Sequence, residues 1–272
     1  EDELLAFKPG NVSVYSEGHD MTVDQFRLSA AVSAEPLTDL EYSLGEKIYH
    51  AVKSTREAVG CNTNLGILLL SAPLIEAMYR RTPEQSLRDA LTQVLDHTTV
   101  EDANWVFRAI TLASPGGLGE ASEQDVHAQA EVNLRQAMAL AAERDRIAWQ
   151  YAHAFKDIFD FSVLAYNRAF VLSGERGWAT LTVFAESLAR YPDSHIERKY
   201  GKQYSEWIAT EMRSLCEHMS VVDGFDRLLP RLHALDEALK SKHINPGTTA
   251  DITVATVLVV LLEQLIAGGI GV

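Results

Sequence analysis

An all-α fold is what this sequence predicts, and three observations carry that expectation. Apolar residues recur at i, i+3, i+4, i+7 and i+8, as in Leu87, Ala90, Leu91, Val94 and Leu95, which lays a stripe along one helix face. Glycines gather in connectors (Gly60, Gly116-Gly117-Leu118-Gly119, Gly174, Gly201 and Pro246-Gly247) and mark where helices stop. No pair of alternating runs is joined by Asn-Gly or Asp-Gly, and no strand–helix–strand rhythm appears. With no repeat or low-complexity linker, residues 1–272 are expected to form a single-domain multi-helix bundle. Its active-site cleft would be formed by the loops between helices.

The elements follow in chain order. A helix is expected to end near Phe7, where Pro9 biases Lys8 toward an extended conformation and Gly10 is free to take positive φ. Helices are expected over Leu40–Val59 and Gly66–Arg80. Thr82, Pro83 and Gln85 have the order of an N-cap, a first helical residue and a capping-box partner for a helix through Leu95. Thr99-Val100-Glu101-Asp102 makes a second such start, with acids at the positive end of the dipole. From Leu134, Met138, Ala141 and Ala142 the apolar spacing continues toward Ile147, Tyr151 and Phe155. His153, four residues after Trp149, is expected to pack in the core. Trp178–Arg190, Tyr204–His218 and Gly224–Lys240 complete the set before a final apolar helix. Within that helix, Ile252–Leu262 is followed by Glu263 and Gln264, so the uninterrupted run is too short to span a bilayer and is expected in the core.

Bulk composition narrows the function. A net charge of −14 argues against a general nucleic-acid binder, while leaving room for a local basic pocket. Hydrophobic content of 47% and charged content of 23% are those of an ordinary globular protein, with no membrane partner expected. The two cysteines, Cys61 and Cys216, have no metal-ligand or CxxC spacing, and the start Glu1-Asp2-Glu3 is unlike a basic signal n-region. A reduced, cytoplasmic protein is the expectation. The apolar tail Ile266–Val272 offers a surface for homo-oligomer formation.

Polar motifs are strung between helices, where chemistry usually sits. Lys8-Pro9-Gly10-Asn11 and Gly18-His19-Asp20 put a cation, a turn, a histidine and a carboxylate close together. Asn62-Thr63-Asn64 precedes an apolar run; helix capping explains one or two such groups, and an anion or sugar site explains three. Gly116 and Gly117 would let backbone approach a ligand, although no Gly-Lys-Ser/Thr follows as in a P-loop. Asp125 lies just beyond. Glu143 and Asp145 are placed mid-helix, where only one of them would face a site. Tyr191–Lys199 reads as a loop whose cationic end, Arg198 and Lys199, suits phosphate oxygens. Asn245-Pro246-Gly247-Thr248-Thr249-Ala250-Asp251 opens the last helix, with Asp251 at its positive end.

Taken in order, these segments resemble the triphosphoribosyl-dephospho-CoA synthase family from Glu3 to about Glu263. The resemblance rests on KPGNV, His19-Asp20-Met21, Asn62-Thr63-Asn64-Leu65-Gly66, Pro115–Gly119, Asp125-Val126, Arg144-Asp145, Pro192–Ile196 and Asn245–Asp251. Citrate-lyase members carry Gly-Val-Asn-Thr-His-Lys-Gly where this chain has Gly60-Cys61-Asn62-Thr63-Asn64-Leu65-Gly66, so it looks closer to archaeal and methylotroph homologues. The family is all-helical. It attacks ATP at ribose C1′, releases adenine and joins triphosphoribosyl to a hydroxyl of dephospho-CoA. An oxocarbenium-like centre of that kind needs a carboxylate or imidazole base, groups for the leaving adenine, and Mg²⁺ with cations for the triphosphate.

The resemblance implies ATP as substrate with a hydroxyl-bearing acceptor, and Mg²⁺ as cofactor. Lys8, Arg198 and Lys199 are assigned to phosphate oxygens. Asp20 and Asp125 are assigned to magnesium, with Asp145 and Asp251 behind them. Asn11, Asn62, Thr63, Asn64, Gly116, Gly117, His195, Asn245, Thr248 and Asp251 complete the nucleotide-binding set. His19, Asp20, Asp125 and Asp145 are the candidates for catalysis. Two other functions fit the same residues: ribosyl transfer in assembly of a methanopterin-type coenzyme, and nucleotide binding without catalysis.

Overall fold

Caps and stripes read from the sequence become helix boundaries in the structure, a computed structural model that describes residues 1–113, 129–222 and 224–268. Among the described residues the regular structure is helical, with isolated bridges only at Ser13–Ser16 and Gly18–Met21. Contacts divide the chain into two compact units. One comprises residues 1–23 and 158–257, the other residues 24–157 and 258–272. The divisions fall inside helices or at a helical turn, where no linker could announce them in the sequence.

The second unit contains α1 (Val23–Thr38), α2 (Leu44–Val59), α3 (Leu65–Arg80), α4 (Leu87–Asp96), α5 (Val100–Ala113), α6 (Leu134–Ala141) and α7 (Arg146–Ala152), apart from Val23 itself. Ser43 and Glu46 form the capping box of α2, which therefore starts at Leu44 and not at Leu40. All five residues of the α4 stripe are buried. Thr82, however, caps nothing. Residues 82–85 make a turn, closed by the Gln85 amide to the Thr82 carbonyl at 3.1 Å, and Ser86 is the N-cap. Thr99 and Asp102 exchange bonds at the start of α5, as the sequence suggests. Helix α2 packs closely on α5, because a Cβ on Gly45 would lie 2.6 Å from the Asp102 Cα. A buried ion pair, Lys47 with Glu76, joins α2 to α3.

The first unit holds α8 (Val163–Ser173), α9 (Arg176–Arg190), α10 (Ser194–Tyr200), α11 (Ser205–Val221), α12 (Phe225–Lys240) and, to Val257, α13 (Gly247–Ile266). Its core is a set of helical stripes. Leu181, Phe184, Ala185 and Leu188 of α9 meet Ile208, Met212, Leu215 and Met219 of α11, and Leu228, Leu232, Leu235 and Leu239 of α12. Phe7 joins them from the N-terminal segment, stacked on Tyr15 at 5.3 Å.

Several expectations change. Residues 1–7 are turns, not a helix. Helices α1, α8 and α10 go beyond those the punctuation marks. The stripe from Leu134 to Phe155 is two helices, broken at 142–145 and reversed at Ala154 and Phe155, which take φ of 49° and 55°. His153 is exposed and stacks on Trp149 at 4.1 Å, because the chain reverses before it can reach the core. Helix α13 is long and apolar enough to cross a membrane by composition, yet Ile252, Ala255, Val257, Val259 and Val260 are buried in the fold, as a core helix requires.

Candidate active site

Within the first unit, three segments far apart in sequence are tied together. They are the N-terminal loop 8–21, the start of α10, and the end of α12 with the entry to α13. Asn11 Nδ2 donates to Asn245 Oδ1 at 2.8 Å. The Gly10 amide donates to Asp236 Oδ1 at 2.8 Å. Gly10 takes φ of 80°, and a Cβ there would lie 2.9 Å from Leu239 and 3.0 Å from Pro246, so the turn admits only glycine.

Asp193 fastens the other side. This buried carboxylate gives one oxygen to each of two helix starts. Oδ1 accepts from the amides of His195 (2.9 Å) and Ile196 (3.1 Å), and Oδ2 accepts from the Thr249 amide (2.7 Å) and hydroxyl (2.8 Å). Thr248 Oγ1 receives the His195 amide as well, at 3.2 Å. Residues 194–200 are consequently a short helix with Arg198 and Lys199 in its last turn, not the loop expected from Pro192. The His195 ring lies against Gly247, whose Cβ position is 3.6 Å from the imidazole. Burial pushes the Asp193 carboxyl up, with Thr249 and His195 opposing. Burial pushes the His195 imidazole down, against the pull of Asp193 and with Arg198 and Lys199 adding to the fall.

His19 joins this assembly through Gly10. His19 and Asp20 both sit in left-handed backbone, with φ of 58° and 60°, a conformation uncommon outside glycine. The His19 Nε2 is 2.8 Å from the Gly10 carbonyl. A carbonyl can only accept, so Nε2 carries the hydrogen and Nδ1 of the neutral ring carries the lone pair. Burial lowers the affinity of His19 for a second proton, and Lys240 and Lys199 lower it further, against the Gly10 bond and Asp236. Lys199 acts on both His19 and His195, with Lys240 acting on the first and Arg198 on the second, so three cations lie close to the two imidazoles, alongside the carboxylates of Asp236 and Asp193.

Other sequence candidates take different places. Lys8 is wholly buried, and its ammonium meets the Glu3 carbonyl (3.0 Å), the Val12 carbonyl (2.8 Å) and Glu3 Oε1 (2.9 Å). An ammonium has three protons, so Lys8 holds the loop together and cannot also grip phosphate in this conformation. Asp251 is half-buried in the second turn of α13, one turn beyond the helix entry. In the second unit, Asn62 Oδ1 accepts the Leu65 amide at 3.1 Å, Thr63 meets the Ser29 hydroxyl at 2.5 Å, and Asn64 donates to Thr55 at 3.1 Å. Asp145 is not mid-helix. It is the N-cap of α7 and accepts from the Ile147 and Ala148 amides at 2.9 and 3.0 Å. Gly116, Gly117 and Asp125 lie outside the described residues.

Sequence reasoning missed Ser16, Asp236 and Lys240. Asp236 and Lys240 are spaced i, i+4 on an amphipathic helix, which is also the pattern of an ordinary surface ion pair. Reading Tyr191–Lys199 as a loop also missed Asp193 as a cap, although its place two and three residues before the amides it receives is the spacing of an N-cap.

The comparisons bear on what this geometry serves. Residues 1–269 match the model of the family ATP:dephospho-CoA triphosphoribosyl transferase. The fold is similar to a crystal structure from Archaeoglobus fulgidus of a protein provisionally named triphosphoribosyl-dephospho-CoA synthase, with a TM-score of 0.67 and 24% identity over 86% of this chain and 97% of that one. No curated protein matches. A family model that spans almost the whole chain, over helices arranged as in that fold, leads to one conclusion: the chain belongs to the ATP:dephospho-CoA triphosphoribosyl transferase family and is a transferase.

Proposed function

We propose that the first unit binds the triphosphate of ATP beside His195, Arg198 and Lys199, and that His19 takes the proton of the acceptor hydroxyl. The observation that carries this reading is the bond from His19 Nε2 to the Gly10 carbonyl, which leaves Nδ1 as the basic atom beside a cluster of cations. Cations near the phosphates offset the charge of ATP without any basic surface elsewhere. As the 2′-hydroxyl of dephospho-CoA attacks C1′, adenine departs and charge develops on the sugar. A positioned base that removes the hydroxyl proton contributes about 10²–10⁴-fold in rate. Asn11 and Asn245, already bonded to one another, offer amide groups to ribose hydroxyls or base edges.

Mg²⁺ is a hard cation that takes oxygen ligands and readily shares them with phosphates, so it needs few protein groups. Among the described residues no three His, Cys, Asp or Glu side chains gather closely enough to form a metal site by themselves. The exposed Asp20 carboxylate, beside His19, is the described oxygen donor that fits, and when bound the ion would neutralise phosphate charge. Two free cysteines and nucleotide substrates support a cytoplasmic setting.

The test is incubation with ATP, Mg²⁺ and dephospho-CoA, followed by mass spectrometry of the products. Wild type should release adenine in step with a triphosphoribosylated dephospho-CoA. His19→Ala should slow single-turnover adenine release by about 10²–10⁴-fold while still binding ATP. An unchanged rate removes His19 from the chemistry. Adenine released only with a pterin-pathway acceptor would reassign the acceptor.

A further inference from the structure

We propose that Asp236 is a positioning residue that acts through His19; this rests on the reading of His19 as the base. Asp236 lies in the last turns of α12 and is buried. Its Oδ1 accepts the Gly10 amide at 2.8 Å, and the carbonyl of that same Gly10 receives His19 Nε2 at 2.8 Å. One residue thus links the carboxylate to the imidazole. Its Oδ2 accepts the Ser16 hydroxyl at 2.6 Å and faces Lys240 Nζ at 3.0 Å. Lys240 in turn donates to Ser16 Oγ (2.7 Å), the Ser16 carbonyl (3.3 Å) and the Glu17 carbonyl (2.9 Å). Its side chain also lies over Gly18, where a Cβ would be only 2.8 Å from Lys240 Cε.

Asp236 and Lys240 therefore clip both ends of the loop segment 10–18 to one helix end. The left-handed pair His19 and Asp20 makes the two-residue turn that the Gly18 and Met21 backbones close at 3.1 and 3.4 Å, and the clip holds Gly18, the residue from which that turn leaves. No role in ligand contact is assigned to Asp236. In Asp236→Asn one oxygen becomes an amide donor. It faces the Ser16 hydroxyl and the Lys240 ammonium, or the Gly10 amide, so the clip opens on one side and His19 loses its fixed direction.

A double-mutant cycle with His19→Ala tests this, read by single-turnover adenine release and by the Michaelis constant for ATP. Asp236→Asn should lower the rate at least about 10-fold, as a slightly misplaced base does, with the constant for ATP within about twofold of wild type. Ser16→Ala, which keeps the carboxylate and removes one of its bonds, should show a smaller loss. In the His19→Ala background both effects should vanish, because a residue acting through His19 has nothing left to position.

Independent, multiplying losses in the double variants would overturn the proposal, as would a raised constant for ATP with the rate intact. Should Asp236→Asn fail to fold, Ser16→Ala completes the same cycle. His19→Ala with full activity would sink the reading of the base instead. Loss in His19→Ala with none in Asp236→Asn would sink only the positioning role.

Discussion

At the scale of single residues, burial decides function as much as chemical type does. Lys8 and Lys199 are both lysines that the sequence offers to phosphate oxygens, but Lys8 is enclosed with three acceptors while Lys199 is exposed at the end of α10. The sequence displays both side chains equally. His195 has a consequence for stability. Its folded form resists protonation, chiefly through burial, whereas the unfolded chain takes a proton below the ordinary value of 6.5. Between 6.5 and its lower folded value the unfolded state binds more protons, so stability rises with pH in that window. Asp193 has the opposite sense in the window that opens upward from its ordinary value of 3.8, because its buried carboxyl gains a proton more readily when folded. Thermal melts at pH 7 and 5.5 should therefore show a loss on acidification that shrinks in His195→Asn. An identical loss in that variant would place its source elsewhere.

At the scale of elements, the amphipathic stripes were legible because a helix turns the same face inward every 3.6 residues. The stripe of α4 is buried as written, and α5 starts at the exposed Thr99 with the expected exchange of bonds to Asp102. Boundaries were harder. Thr82-Pro83 has every feature of a helix start, yet Ser86 supplies the capping oxygen three residues before the Asp89 amide and α4 begins behind it. Residues 142–145 interrupt an unbroken apolar spacing, so Asp145 becomes a cap by a break that periodicity does not reveal. Asp193 joins two elements at once. Asp193→Ala should destabilise the protein by more than the ~0.5–2 kcal/mol of a single lost cap, since the starts of α10 and α13 both lose their acceptor. Asp193→Asn should recover only part of this, because one amide oxygen cannot serve both helices. Urea unfolding gives the comparison, and a loss within the single-cap range would show that one helix start alone depends on it.

At the scale of the whole molecule, the first unit is assembled from the N-terminal segment and residues 158–257. Its core joins Phe7 to Leu232 and Ile244, so this unit cannot be taken as one continuous stretch. Leu232→Ala, at a fully buried position in α12, should cost about 2–5 kcal/mol in urea unfolding, and a much smaller cost would mean that the core relaxes around the space. The sequence by itself determined the helical class, most stripes, several caps and the ordered motifs that place the chain in its family. Each of these depends on residues a few positions apart, and a linear pattern records such relations. Tertiary structure alone decided that Gly10 meets Asp236 and Asn11 meets Asn245, across separations of 226 and 234 residues. It also decided that Lys8 is enclosed while His19 is presented. Those outcomes depend on which surfaces meet after the helices form, and no local spacing encodes that meeting.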